Sequence, residues 1–356
     1  MKAGPQVFGW SHWLIIGLLL LTGTLLLLEI SIRMILPPAF FSPPENIYAR
    51  HSDPEVGYTL VPNFRGFATG TFLKINSLGF RGDEWAPTPP AGKFRVALVG
   101  DSHAMGFGLP FVDSLGEAMR SPLKLRFGLD AETLNFAVLG YNAVQKTAVL
   151  EKLALAYRPN LVVYFANSND DEAARAATPE HWLVNKNTGI THHSPDFAAF
   201  ALRNSPAWLL RSKTVSAMVL SYNYLLGHWR KVSVDVNRGD NTNVPYLPDA
   251  ASPEFVHTST IRPIRRAIEA ARKKKLPFLL IYLEGKAEYL KAYRDLCASQ
   301  HIPCVDAYAA LHVESWDEAL QSYGLGWDSH LNAQASRIWA EEIGKELQAT
   351  RTLALP

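Results

Sequence analysis

Phe94-Arg95-Val96-Ala97-Leu98-Val99-Gly100-Asp101-Ser102 is the stretch that decides the fold. It is a short apolar run that ends in glycine and leads directly to a hydroxyl. A strand with one wet face alternates polar and apolar residues, whereas a strand buried on both faces does not. The same texture recurs at Thr133–Gly140, Leu161–Asn167, Pro277–Gly285 and Pro303–Ala307. Between these runs lie stretches with helical spacing, at Ala143–Tyr157, Ser259–Lys275, Lys286–Ser299 and Asn332–Gln348. Strands alternating with helices predict an α/β domain, a parallel sheet covered by helices on both sides.

The rest of the composition agrees with a folded domain. The 356 residues are 48% apolar and 19% charged, which excludes a disordered chain and supplies a sizeable core. Lys and Arg number 35 against 33 Asp and Glu. A net charge of +2 offers no basic face of the kind a nucleic acid requires, so none is expected as a partner. The two cysteines, Cys297 and Cys304, exclude a disulfide-dense scaffold and a four-cysteine zinc site. In an exported domain they can pair with each other.

Upstream, residues 13–36 read WLIIGLLLLTGTLLLLEISIRMIL, and the first charge in this run is Glu29. At about 1.5 Å per helical residue the run spans roughly 36 Å, enough for a hydrocarbon core of about 30 Å. Glu29 and Arg33 share a helix face near its distal end, and Pro37-Pro38 stops the helix. A cleaved signal peptide is one alternative, but its apolar core is normally about 7–15 residues, and no A-x-A-like site follows the run. A buried core helix is the other. Residues 1–36 therefore read as a membrane anchor and the lipid bilayer as a partner. Residues 37–92 read as an extended lead-in that packs on the domain. Residues 93–350 read as the folded domain, interrupted by an insertion at about 172–257. Lys2 and Arg33 flank the apolar run on opposite sides and say little about orientation; a cytoplasmic N-terminus and an exported domain are expected. The insertion holds Trp182, Trp208, Tyr222, Tyr224 and Trp229, while Arg211 and Lys213 argue against a second span. It is expected to cap the sheet, a membrane-resting amphipathic helix being the alternative.

The chemistry gathers at strand ends. Open parallel sheets bind ligands beyond the carboxyl ends of their strands, where the winding direction switches. Ser102 follows the first strand there, although Gly-Asp-Ser alone also suits a helix N-cap. Gly140 closes the second run, so its N–H can approach a substrate oxygen. Asn167-Ser168-Asn169-Asp170-Asp171 follows the third, and an amide there can donate to a developing oxyanion. Trp327-Asp328-Ser329-His330-Leu331-Asn332 stands just before the last helix. A serine hydroxyl is a poor nucleophile until a base takes its proton, and His330 is the natural base. Asp328 is close enough to bond the other ring nitrogen and fix the tautomer. Neighbouring signals read as structural. His103 adjoins Ser102, but adjacent side chains in a turn usually diverge. His192-His193 suits a solvated loop rather than a metal. Asp170 and Asp171 suit helix capping rather than a metal site. No metal or organic cofactor is expected.

With these residues in view, the sequence resembles the SGNH hydrolase (GDSL esterase/lipase) superfamily over roughly residues 95–347. Gly-Asp-Ser matches the nucleophile block at Ser102, Gly140 the glycine block, Asn169 the asparagine block, and Asp328 with His330 the acid–histidine block. The resemblance implies a three-layer α/β/α sandwich of flavodoxin type. It also implies an oxyanion hole made by the Ser102 N–H, the Gly140 N–H and the Asn169 side chain. Two positions depart from the pattern. Asn167 stands where the third block usually has glycine. Trp327 stands where the last block usually has aspartate, with Asp328 one residue late, a spacing similar to that of alginate-type O-acetyltransferases. Asp53–Tyr58 and Ile75–Gly82 (INSLGFRG) resemble the segment preceding membrane-anchored bacterial members, often associated with envelope polysaccharide.

The α/β-hydrolase elbow Gly-x-Ser-x-Gly is absent, because residue 104 is alanine. Gly106 and Gly108 lack the Lys-Ser/Thr of a phosphate loop. The expected activity is that of a serine esterase, removing a small acyl group such as acetyl from an envelope or extracellular glycan. The alternatives are an O-acyltransferase using the same residues and a non-catalytic envelope binding protein. An acylated glycan or other ester is the expected substrate.

Overall fold

Five parallel strands form the centre of the larger unit in the computed structural model: β5 (Lys93–Val99), β6 (Asp130–Asn135), β7 (Leu161–Asn167), β10 (Phe278–Leu283) and β11 (Cys304–Asp306). The structure describes residues 9–35, 47–69, 71–167, 170, 183–184, 191–192, 212, 214, 253–325 and 330–353. The spatial order is β11-β10-β7-β5-β6. Read from the β6 edge, that is second, first, third, fourth, fifth in chain order, the flavodoxin-like doubly wound arrangement. The winding reverses between β5 and β7, so the crevice beyond Val99 and Asn167 is the switch point. Every residue of β7 and β10 is buried, as are the last five of β5. This is why those runs are apolar without alternation.

Helices cover the sheet on both faces. One layer joins α3 (Leu115–Ala118), α4 (Arg120–Phe127), α8 (Ala307–Leu311) and α10 (Ala333–Ala349). The other joins α5 (Ala143–Lys152) and α6 (Arg262–Lys273), with the helical turns Pro253–Val256 and His257–Ile261 and, packed against them, α7 (Ala287–Gln300). The helices form where their spacing predicts, but Ala143–Tyr157 breaks at Leu153 into a separate turn, Ala154–Tyr157. Cys297 on α7 and Cys304 on β11 are joined in a disulfide with their Cα atoms 6.3 Å apart.

The second apolar run departs from expectation. It leaves the sheet at Asn135 and does not continue as a strand to Gly140. The Asn135 side chain accepts from the Ala137 N–H at 3.1 Å and donates to the Ala104 carbonyl at 2.9 Å, which turns the chain. Residues 136–139 stay buried as a loop, so their apolar character reflects burial and not strand pairing.

The lead-in, from Ile47 onward, builds two antiparallel hairpins, β1 (Tyr48–Arg50) with β2 (Tyr58–Leu60) and β3 (Arg65–Ala68) with β4 (Thr71–Lys74). Ile47, Val56, Leu60, Leu73 and Phe80 join the core. Tyr58 Oη donates to the Leu139 carbonyl at 2.9 Å, and Tyr141 Oη donates to the Tyr58 carbonyl at 2.6 Å.

The smaller unit comprises Met1–Glu45 and Leu183–Asp240, the larger one Asn46–Trp182 and Asn241–Pro356. In the smaller unit, helix α1 runs Trp10–Ile35, and its stretch Trp10–Ile32 has a mean hydropathy of 2.3. It is long and apolar enough to cross a membrane. Glu29 on this helix accepts from Ser212 Oγ at 2.9 Å and from the Thr214 N–H and Oγ1, each at 2.8 Å. Short strands β8 (Leu183–Val184) and β9 (Thr191–His192) pair in the insertion. Its aromatic residues Trp182, Trp208, Tyr222, Tyr224 and Trp229, and with them the expected cap, lie outside the described residues.

Candidate active site

Gly100 ends β5 where helix α2 (Ser102–Met105) turns back across β7. A Cβ at residue 100 would lie 2.4 Å from Ala104 Cβ and 2.9 Å from Phe165 Cβ, so only glycine lets the turn sit this close to the sheet. Asp101 is the N-cap of α2, its carboxylate accepting from the His103 N–H at 3.0 Å. Gly106 ends the helix at a φ of +83°. This turn holds Ser102 at the switch point.

His330 reaches the same place from the other end of the chain. Its loop is pinned at the base by the Leu325 N–H on the His330 carbonyl at 2.9 Å and the Asn332 N–H on the Tyr323 carbonyl at 2.6 Å. Asn332 then caps α10, its side chain accepting from the Gln334 N–H at 2.9 Å. In this setting His330 Nε2 lies 2.8 Å from Ser102 Oγ, across 228 residues of sequence. Phe107 stacks on the imidazole with ring centroids 4.1 Å apart and planes 18° apart. The Phe107 N–H is itself held by the Ser102 carbonyl at 2.9 Å. The Ser102 turn therefore carries the aromatic ring that stacks on the histidine.

Gly140 has a φ of +73°, a conformation that favours glycine. Its loop runs beside the Ser102 turn, where the Val138 N–H donates to the Gly100 carbonyl at 3.3 Å. Asp328, Asn169 and Asp171 lie outside the described residues. His103 does not diverge from the site. Its ring centroid is 4.9 Å from that of His330, and Phe165, Trp316 and Trp339 surround it. Among the described residues no group of three or more His, Cys, Asp or Glu is placed to hold a metal ion.

No protein-family model and no curated protein matches the sequence. Among solved structures the chain is similar to a variant of Axe2, an acetyl-xylooligosaccharide esterase from Geobacillus Stearmophilus. The identity is 13% and the TM-score 0.41, over 72% of this chain and 95% of that one. It is similar to TesA at 13% identity and a TM-score of 0.40, over 72% of this chain and 99% of that one. It is also similar to AlinE4, a SGNH-hydrolase family esterase, at 13% identity and a TM-score of 0.32, over 61% of this chain and 77% of that one.

Beneath Ser102 lies a charged cluster that the sequence reading missed. Lys146 Nζ, from α5, donates to Asp101 Oδ2 at 3.1 Å and to Asp170 Oδ1 at 2.6 Å, and all three residues are fully buried. Asp170 Oδ2 accepts from the Asn167 N–H at 3.2 Å. Asp170 is thus a counter-ion, with its second oxygen on the end of β7. Burial pushes its carboxyl up to about 7, with Lys146 working against that. At Asp101 burial also pushes upward, but the charges of Lys146 and His103 prevail, and its carboxyl is held below the ordinary range. At Lys146 burial pushes down, and the two carboxylates together hold the ammonium above its ordinary value. A signal existed in the sequence. Lys146 shares a helical face with Ala143, Val149 and Leu150, all of them buried, and a lysine in that position needs a buried partner.

Proposed function

We propose that this chain is a membrane-anchored serine esterase whose active site lies outside the cytoplasm, acting on a small acyl ester, such as acetyl, carried by a glycan. The observation that carries the reading is the 2.8 Å contact between Ser102 Oγ and His330 Nε2. That distance lies within the range for proton transfer from a nucleophile to its base. Ser102 Oγ attacks the ester carbonyl as His330 takes its proton. The tetrahedral oxyanion is met by the Ser102 N–H, the Gly140 N–H and the Asn169 amide. The C–O bond to the alcohol breaks, and His330 returns the proton to the departing oxygen. Water then attacks the acyl-serine by the same route in reverse, releasing the acid. Asp328 holds the ring nitrogen remote from Ser102. Each oxyanion donor of this kind is worth about 10²–10³ in kcat.

The location draws support from two features. Helix α1 has the length and hydropathy of a span. The Cys297–Cys304 bond suits an oxidising compartment, since cytosolic thiols are kept reduced.

A fluorophosphonate probe and an acetyl ester test the chemistry. Wild type is labelled and turns over, and Ser102→Ala does neither. His330→Ala loses about 10³-fold or more, Asn169→Ala about 10²–10³-fold, and Asp328→Ala about 10²–10⁴-fold. Wild type labelled no better than Ser102→Ala would favour a binding module over an enzyme. An unchanged rate in Asp328→Ala would mean that another acid serves.

The Asp328-x-His330 spacing favours a second reading, O-acyl transfer, in which a sugar hydroxyl replaces water as the acceptor. Incubation with an acetyl ester and a glycan acceptor separates the two. Acetylated glycan indicates transfer, and free acetate alone indicates hydrolysis.

A further inference from the structure

The buried cluster under the nucleophile links the three segments that carry the proposed oxyanion donors. Asp101 immediately precedes Ser102 and caps its helix. Asp170 immediately follows Asn169 and binds the end of β7 through the Asn167 N–H. Lys146 belongs to α5, which begins three residues after Gly140 and is fixed at its start by the Asn142–Gln145 capping box. Gln145 also donates to the Val56 carbonyl at 3.0 Å, so the helix cannot rotate freely under its load. One ammonium group, shut off from solvent, therefore contacts or belongs to the segments next to all three donors.

We propose that Lys146 is the positioning residue of this active site, holding the nucleophile turn, the Gly140 loop and the chain at Asp170, which follows Asn169 in sequence, at the mutual spacing that oxyanion stabilisation needs. The proposal rests on the serine-esterase reading. Stability alone explains the cluster poorly. Replacing buried ions by uncharged groups of similar volume is often neutral or stabilising. A directional ammonium with two carboxylate partners in turn fixes geometry that an apolar contact leaves loose. Oxyanion stabilisation depends on that geometry more steeply than substrate binding does, because the donors act on charge that appears only in the transition state.

The test uses the full-length protein in detergent. Lys146→Met/Asp101→Asn/Asp170→Asn removes all three charges together, leaving no unpaired buried ion, and Asn retains the capping oxygen at residue 101. The expected result is a folded protein with kcat lowered by about 30-fold or more, KM within about threefold, and affinity for a boronic acid transition-state analogue weakened in parallel with kcat. Asp170→Asn alone keeps the Lys146–Asp101 pair and serves where the triple variant does not fold; a fall of about tenfold in kcat at unchanged KM is expected. A folded triple variant, or Asp170→Asn, with wild-type kcat overturns the proposal and leaves the esterase reading standing. A wild type that neither reacts with fluorophosphonate nor hydrolyses esters overturns the esterase reading and this proposal with it.

Discussion

Arg81 Nη1 donates to the Gly106 carbonyl at 2.6 Å, linking the lead-in to the end of helix α2 inside the core. The same guanidinium reaches the Met105 carbonyl at 3.1 Å and the Leu109 carbonyl at 2.5 Å. Burial pushes Arg81 down to about 10, so it remains charged at neutral pH and suits the negative end of α2. Phe107, which stacks on His330, lies inside the segment these bonds hold.

Arg81→Met should therefore affect stability and catalysis together. It leaves three carbonyls short of a donor, and a loss of about 3 kcal/mol in urea unfolding is expected. Under conditions where the variant is still folded, kcat should fall by about tenfold or more as Phe107 loosens. A folded variant with unchanged kcat would show that the loop holds itself.

Gly100→Ala tests the close approach of the nucleophile turn to the sheet. The added methyl meets Ala104 and Phe165 well inside contact distance. Overpacking of this kind costs about 1–3 kcal/mol and shifts backbone. Urea unfolding should show the loss, and fluorophosphonate labelling of Ser102 should slow. A variant as stable and as reactive as wild type would contradict the described packing.

Asp170 should make stability fall as the pH rises from about 4 to about 7. Its carboxyl titrates near 7 in the fold and near about 3.9 in the unfolded chain. Between those values the native protein keeps a proton that the unfolded chain has released, so raising the pH favours unfolding. Asp101 acts in the opposite sense, because its folded value is lowered. Its contribution is present above about pH 3.9 and is lost only as the pH falls through that lower folded value. Lys146, whose folded value is raised, keeps its contribution until the pH exceeds about 10.4 and loses it as the pH rises through the folded value. Asp170→Asn should therefore gain on wild type by up to about 3 kcal/mol between pH 4.5 and 7.5, read from urea midpoints at both pH values. Parallel curves would show that Asp170 keeps its ordinary titration.

The Cys297–Cys304 bond predicts a thiol count. Protein recovered from an oxidising compartment and denatured without reductant should take up no maleimide, and after reduction it should take up two. The Cys297→Ser/Cys304→Ser pair should cost about 2–3 kcal/mol, as expected for a loop this short. Two reactive thiols in the unreduced protein would show that the bond does not form.

The sheet was legible in the sequence because strands buried on both faces have a composition of their own, as Leu161–Asn167 shows. Ser102 and His330 were legible because a hydroxyl after a strand and a histidine before the last helix are local patterns. What local pattern hides is partnership over distance. Asn135 turns the chain off the sheet partly through the Ala104 carbonyl, 31 residues away, a bond no local pattern reveals. The apolar face around Lys146 shows that it needs a buried partner but not which one, because its partners lie 45 and 24 residues from it. The Cys297–Cys304 pairing depended on where α7 ends relative to β11, a distance that spacing alone does not give.

The reciprocal tyrosine bonds, Tyr58 on Leu139 and Tyr141 on Tyr58, bear on where the chain can be shortened from its N-terminal side. A truncation that spares both hairpins must begin no later than Ile47. Trimming back to residue 93, where the first sheet strand begins, would also discard Arg81 and Tyr58, and with them the braces on both the Ser102 and the Gly140 segments. A truncated form that keeps the hairpins should keep its fold and its Ser102 reactivity, whereas one trimmed past them should lose both.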